Sequence, residues 1–170
     1  LATQSTVMAK KQTHAQLKKK VDEWYSKAIR YRAADSAGFA ECFTCHTRYH
    51  VGHLHCGHFA SRRHMATRWH DPADGIGNTA PQCVACNLYD QGRQWYFGQR
   101  LDSLKRGRAA DIMREAQRPR KYGMEELRQL CERYRREVEQ LTARTPALTN
   151  RPAKRGKDTR TKAGASKADA

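Results

Sequence analysis

The sequence predicts an α+β fold: a small core that depends on a metal ion, set between helical segments at its two ends. Three observations predict it. Cys42-Phe43-Thr44-Cys45 and Cys83-Val84-Ala85-Cys86 form two C-x-x-C knuckles. Residues about 40–92 hold five of the six Cys and seven of the eight His, and their apolar runs are short. Such a segment buries little hydrocarbon and needs another source of stability. On either side of it, apolar residues recur at helical spacing.

The first helix is expected over residues about 9–35. Leu17, Val21, Trp24, Ala28 and Tyr31 follow one another at spacings of 4, 3, 4 and 3, which places them on one face. The opposite face carries Lys18, Lys19, Lys20, Lys27 and Arg30, either solvated or set against phosphates. After the cysteine-rich segment the helical pattern returns over residues about 93–143. Trp95, Phe97, Leu101 and Leu104 suit one helix; Ala109, Ile112, Met113 and Ala116 suit a second that Pro119 ends. Leu127, Cys131, Tyr134, Val138 and Leu141 suit a third. This last stripe is read as packing on the domain, with pairing to a second copy (a homodimer) as the alternative. Cys131 lies on it and is expected to be a buried thiol. Trp69 and Trp95 are read as core aromatics.

The folded unit is thus expected over residues 9–143. Residues 1–8 read as a disordered start, or a scar ahead of a natural start at Met8. Residues 144–170 are polar and basic and read as a disordered tail. The chain has no stretch resembling a membrane span or an export signal, so a reducing cytoplasm is the expected compartment. There, cysteines serve as metal ligands or plain thiols more often than as disulfides.

Taken alone, Cys42-Phe43-Thr44-Cys45-His46 is the attachment signature of a c-type haem. Haem, however, leaves Cys83 and Cys86 without a role. A tetrahedral zinc ion uses Cys42, Cys45, Cys83 and Cys86 together, in a closed structural site with no open position for water. The 37 residues between Cys45 and Cys83 exceed the 15–20 or so of a compact ribbon. The insertion carries His50, His53, His55, Cys56, His58, His64 and His70, with Arg62, Arg63, Arg68 and Asn78; Asn87 follows the second knuckle directly. A neutral histidine can accept a proton from water near pH 7. A divalent cation such as Mg²⁺ needs few protein ligands, and a carboxamide can be one.

The segment CGHFASRRHMATRW, followed by N-x-x-x-Q-C-x-x-C-N from Asn78 to Asn87 and then Gly92, resembles the phage lambda NinG (Rap) family of recombination endonucleases. The resemblance spans roughly residues 17–141. It implies an H-N-H, or ββα-metal, core and a metal-dependent nuclease acting on branched DNA such as Holliday junctions or D-loops. By position it makes His58 the general base, Asn78 the brace of the loop that aims it, and Asn87 a ligand of a catalytic Mg²⁺ or Mn²⁺. Arg62, Arg63 and Arg68 become phosphate contacts. Many relatives in the wider superfamily place a metal-binding Asp or His directly before the base, where this chain has Gly57. The second ligand is therefore open among His55, Cys56 and His64. In an extended strand Cys56 and His58 share a face and His55 points the other way; Cys56 is also a candidate neighbour of the zinc site. For Asn87 the plain alternative is a helix N-cap.

Charge agrees with a polyanionic partner. Lys plus Arg total 33 and Asp plus Glu total 17, a formal net charge of +16. Such a field concentrates nucleic acid, double-stranded or branched DNA included, through counterion release. It does not by itself separate a nuclease from a non-catalytic zinc-stabilised binding protein.

Overall fold

A computed structural model describes residues 12–150. The expected start at residues 1–8 and the tail beyond 150 lie outside the described residues. Among those described, four helices frame two small antiparallel sheets, an α+β arrangement. No helix among them is long and apolar enough to cross a membrane.

Helix α1 (His14–Arg32) opens on a capping box: the Thr13 hydroxyl accepts from Gln16 N at 3.2 Å, and Gln16 Oε1 accepts from Thr13 N at 2.9 Å. It buries Leu17, Val21, Tyr25 and Ala28. Tyr25 thus takes the core position expected of Trp24, which is only half-buried. The reason is polar: the Tyr25 hydroxyl donates to His70 O at 3.0 Å and meets Thr79 Oγ1 at 2.7 Å, tying α1 to the sheet beneath it. Helix α4 (Met124–Arg144) lies against α1 through Leu127, Tyr134 and Val138, with Tyr134 edge-on to Tyr25 at 5.0 Å between ring centres. Cys131 and Leu141 are half-buried on the same side, so the stripe faces the domain rather than a second copy.

Strands β1 (Phe39–Glu41) and β2 (Arg48–His50) form one hairpin, with Phe39 opposite His50 and Glu41 opposite Arg48. Strands β3 (Leu54–His58) and β4 (Thr79–Cys83) form the other, running from Leu54 opposite Cys83 to His58 opposite Thr79. Between β3 and β4 lies the turn-rich segment 59–78. A single π-helical turn, Ala85–Tyr89, follows β4 and leads through Gln91–Arg93 into α2 (Gln94–Leu104) and α3 (Arg108–Ala116). Helices α2 and α3 bury Phe97, Leu101, Ile112 and Ala116 around Ala60 and Ala80. Trp69 is buried as expected, its N–H donating to Asp22 Oδ1 at 2.8 Å. Trp95 is not: it is 73% exposed, and Leu104 and Met113 also face outward. Trp95 and Phe97 stand two residues apart, on opposite sides of a helix, so only one of them can face the core.

The chain beyond α4 does not leave the domain at once. Pro146–Leu148 makes a 3₁₀ turn that buries Leu148 against Ala40, Val51 and Leu54 beside the cysteines. His50 Nε2 donates to Ala147 O at 2.9 Å while its Nδ1 accepts from Gly52 N at 3.1 Å, which fixes the ring tautomer. Gly38, at φ +80°, lets this turn approach: a Cβ there would lie 2.8 Å from Ala147 O. Residues 145–150, expected to belong to the tail, are thus packed on the domain.

Candidate metal centre and the side chains around it

The β1–β2 turn presents Cys42 and Cys45, and the end of β4 with the π-turn presents Cys83 and Cys86. Their sulfurs all lie within 4.8 Å of one another, with Cys45 and Cys83 Sγ 3.9 Å apart. Four sulfurs at about 2.3 Å from a tetrahedral zinc ion stand roughly 3.8 Å apart, so the group can hold a metal such as zinc. Backbone N–H groups reach two of the sulfurs. Cys83 N donates to Cys42 Sγ at 3.3 Å and Cys86 N to Cys83 Sγ at 3.5 Å. Burial acts to raise the Cys42 thiol, but the N–H groups of Cys83, Thr44 and Cys45 outweigh it and bring it down to about 6. Burial pushes Cys83 up to about 12. The first knuckle closes tightly: His46 N donates to Cys42 O at 3.0 Å, and His46 sits at φ 60°, where a side chain is uncommon.

By joining the two hairpin ends, the cysteine group sets β3 beside the π-turn. There the Asn87 amide donates to His55 Nδ1 at 3.1 Å. Asn87 thus faces the strand from within the π-turn and does not serve as a helix N-cap. Burial, helped by the Arg30 charge, lowers the His55 imidazole, and the Asn87 NH₂ makes Nδ1 the acceptor.

The other two candidates for the second ligand are elsewhere. Cys56 points to the opposite side of β3 and packs on the α1–α4 cluster, where burial pushes its thiol up to about 12. His64 Nδ1 donates to Ala116 O at 3.1 Å, against α3.

His58 ends β3 on the Cys56 side. Its Nδ1 lies 3.3 Å from Cys56 O and its Nε2 3.2 Å from Arg68 O. A neutral ring has one N–H for these two carbonyls. Burial dominates and pushes the imidazole down to about 4, so it is neutral at pH 7. The ring of His58 and the side chain of Asn87 are not hydrogen-bonded to one another; Asn87 meets His55 instead.

Asn78 is fully buried and makes three bonds across the 59–78 segment. Its Oδ1 accepts from Ala60 N at 2.6 Å, and its Nδ2 donates to Ala60 O at 2.9 Å and Thr67 O at 3.0 Å. The start and the middle of the segment that follows His58 are thereby held together.

Gln82 was not singled out from the sequence, although it stands in the quoted motif just before the second knuckle. It is fully buried, and its Nε2 donates to Thr44 Oγ1 at 3.1 Å and Gly92 O at 2.8 Å, linking the first knuckle to the Gln91–Arg93 turn. It also explains Gly57: a Cβ there would lie 2.0 Å from Gln82 Oε1. The position before His58 is empty of a side chain because Gln82 fills that space.

Of the basic residues, Arg62 and Arg63 are exposed on the turn after Ser61, and Lys19 and Lys20 are exposed on α1 with Lys18 half-buried. Arg68 differs. It donates to Asp22 at 2.9 and 2.5 Å and to Arg62 O at 2.6 Å, and little of it reaches solvent. Its guanidinium holds the turn to α1 and is not free for a phosphate. Compared with family models, curated proteins and solved structures, the chain matches none of them.

Proposed function

We propose that this protein is a metal-dependent, structure-selective DNA endonuclease of the H-N-H, or ββα-metal, kind, acting on branched recombination intermediates such as Holliday junctions or D-loops. The reading rests on its resemblance to the NinG family. One observation carries it: His55 and Asn87, from separate elements, meet at 3.1 Å beside the four-cysteine group. In this reading Cys42, Cys45, Cys83 and Cys86 hold a structural zinc ion. His55 Nδ1 and the Asn87 carboxamide oxygen would hold Mg²⁺ or Mn²⁺ once the Asn87 amide turned over, since its NH₂ now donates to that nitrogen. The ion would supply positive charge for the phosphate oxygens and the leaving 3′-oxygen.

The chain's own side chains do the rest. Asn78 fixes the segment after β3, and His58 takes the proton of the attacking water. For that, His58 has to give up one of its carbonyl partners, Cys56 O or Arg68 O, and turn toward the His55 side of β3. Arg62, Arg63 and the lysines of α1 attract the strands, and Arg68 keeps the turn in place through Asp22.

A second reading is a zinc-stabilised nucleic-acid-binding protein without catalysis. The geometry of His58 favours it, since both ring nitrogens lie against carbonyls and the ring is on the opposite side of β3 from His55. A cleavage assay on a synthetic four-way junction separates the two. The parent with Mg²⁺ or Mn²⁺ is expected to cut, and His58→Ala, His55→Ala and Asn87→Ala are each expected to slow cutting by about a hundredfold or more. Junction binding without cutting, under every divalent ion tried, selects the second reading.

A further inference from the structure

Among the described residues seven large apolar side chains are exposed, and five of them lie within residues 84–96: Val84, Leu88, Tyr89, Trp95 and Tyr96. Tyr89 is 80% exposed and Trp95 73%. Such clustering is unusual for a surface that meets only water. The stretch runs from the π-turn, which includes Asn87, through Gln91–Arg93, where the backbone kinks at positive φ, into α2. Arg93 lies beside one of these rings. Its guanidinium lies 4.2 Å from the centre of the Tyr96 ring and reaches to 4.0 Å from Cys86 Sγ. Asp90, 3.9 Å from Arg93, is the carboxylate at its edge.

We propose that this aromatic face is a stacking platform for unpaired bases of a DNA strand. The inference rests on the nuclease reading, and deepens it by naming which part of a branched substrate the protein grips. Three features commit it to single-stranded DNA. The exposed rings are Trp and Tyr, whose flat faces accept any base. An arginine lies over one of them, adding positive charge and a further stacking plane. The net charge of +16 attracts a polyanion and works against a basic protein partner, a second copy of this chain included. Continuity with Asn87 places the platform directly beside the proposed reaction centre. A strand whose bases stack on Tyr89 and Trp95 presents its backbone next to His55 and Asn87, and a fully paired duplex, with its bases turned inward, gains nothing from the rings.

The test is anisotropy of a labelled oligothymidylate and of a duplex of equal length, without divalent ion, so that cleavage plays no part. Trp95 and Tyr89 are exposed, so their replacement leaves the core intact. Trp95→Ala is expected to weaken single-strand binding by roughly tenfold and Tyr89→Ala by a similar factor. Trp95→Phe is expected to restore most of the loss, and duplex binding to be unchanged in all three. Single-strand binding by Trp95→Ala equal to that of the parent overturns the inference, as does an equal loss for the duplex. So does a parent that sediments as a dimer and a Trp95→Ala that sediments as a monomer with unchanged DNA affinity, which assigns the face to a second copy. If the parent never cuts junctions but shows the selective loss, the platform stands and the nuclease reading falls; if it cuts while the loss is missing, the reverse holds.

Discussion

Asn78 shows how much one side chain can carry. Replacing it by Ala removes three hydrogen bonds and leaves Ala60 N and O and Thr67 O unmatched inside the fold. The expected loss is roughly 2–4 kcal/mol, read from urea denaturation. A variant as stable as the parent would mean that water takes over these bonds. His58 gives a second test at this scale, with a definite sign. Its imidazole titrates near 4 when folded against an ordinary value of 6.5. Between these limits the unfolded chain binds the proton and the folded chain does not. The stability it contributes is therefore complete above about pH 6.5 and is lost as the pH falls toward 4, by up to ~3 kcal/mol. The difference between parent and His58→Asn, followed by denaturant midpoint across this window, should shrink on acidification; a constant difference would refute the burial argument. The residues of the candidate site were legible in the sequence because chemistry restricts them to few types: four Cys at knuckle spacing, then His and Asn. Their orientation was not legible. Strand alternation put Cys56 on the His58 face and His55 on the other and left the second ligand open among His55, Cys56 and His64; it took the cysteine group to bring β3 against the π-turn and set His55 against Asn87. Gln82 escaped notice because a glutamine has no single chemical signature, and Gly57 could be explained only once Gln82 was seen above it.

At the level of elements the molecule divides by what holds each part. Helices α1 and α4 share Leu17, Val21, Tyr25, Leu127 and Tyr134, an apolar cluster that needs no metal. The two hairpins are short, and the cluster they share with Leu148 is built partly from Cys42, Cys83 and Cys86 themselves. Removing the ion with a strong chelator is therefore expected to release the strands first. Hydrogen exchange should show protection lost in β3 and β4 while α1 and α4 keep most of theirs. Loss of all elements together would show that the helical pair depends on the knuckles after all. Gly57→Ala bears on the same sheet, since its methyl would collide with Gln82 Oε1; about 1–3 kcal/mol of destabilisation is expected in thermal unfolding. The helices were readable because spacings of 3 and 4 reveal a buried face. Strands of three residues, such as β1 and β2, offer too few alternations to be read in the same way. The helical reading went astray at single positions, Trp24, Trp95, Leu104 and Met113; for Trp95 the reason is that two residues of a helix cannot both face inward when they are two apart.

For the molecule as a whole, charge sets the range of behaviour. DNA affinity is expected to fall linearly with salt on logarithmic axes, with a slope close to the number of phosphates neutralised. Changing Arg62 and Arg63 together to Ala should reduce that slope by about two, because both are exposed. Arg68→Ala should leave the slope nearly unchanged and lower stability instead, because its partner is Asp22. An identical slope change for all three would mean that Arg68 exchanges Asp22 for phosphate. Composition foretold this basic balance but not that the chain past α4 still packs on the domain: Leu148 joins the cluster of Val51, and the Ala147 carbonyl accepts from His50. A shortened version of the protein cut just after α4 would look, from composition, like a harmless trim. It would instead uncork the cysteine hairpin, and anyone preparing the domain for crystals should keep the polypeptide at least as far as Asn150.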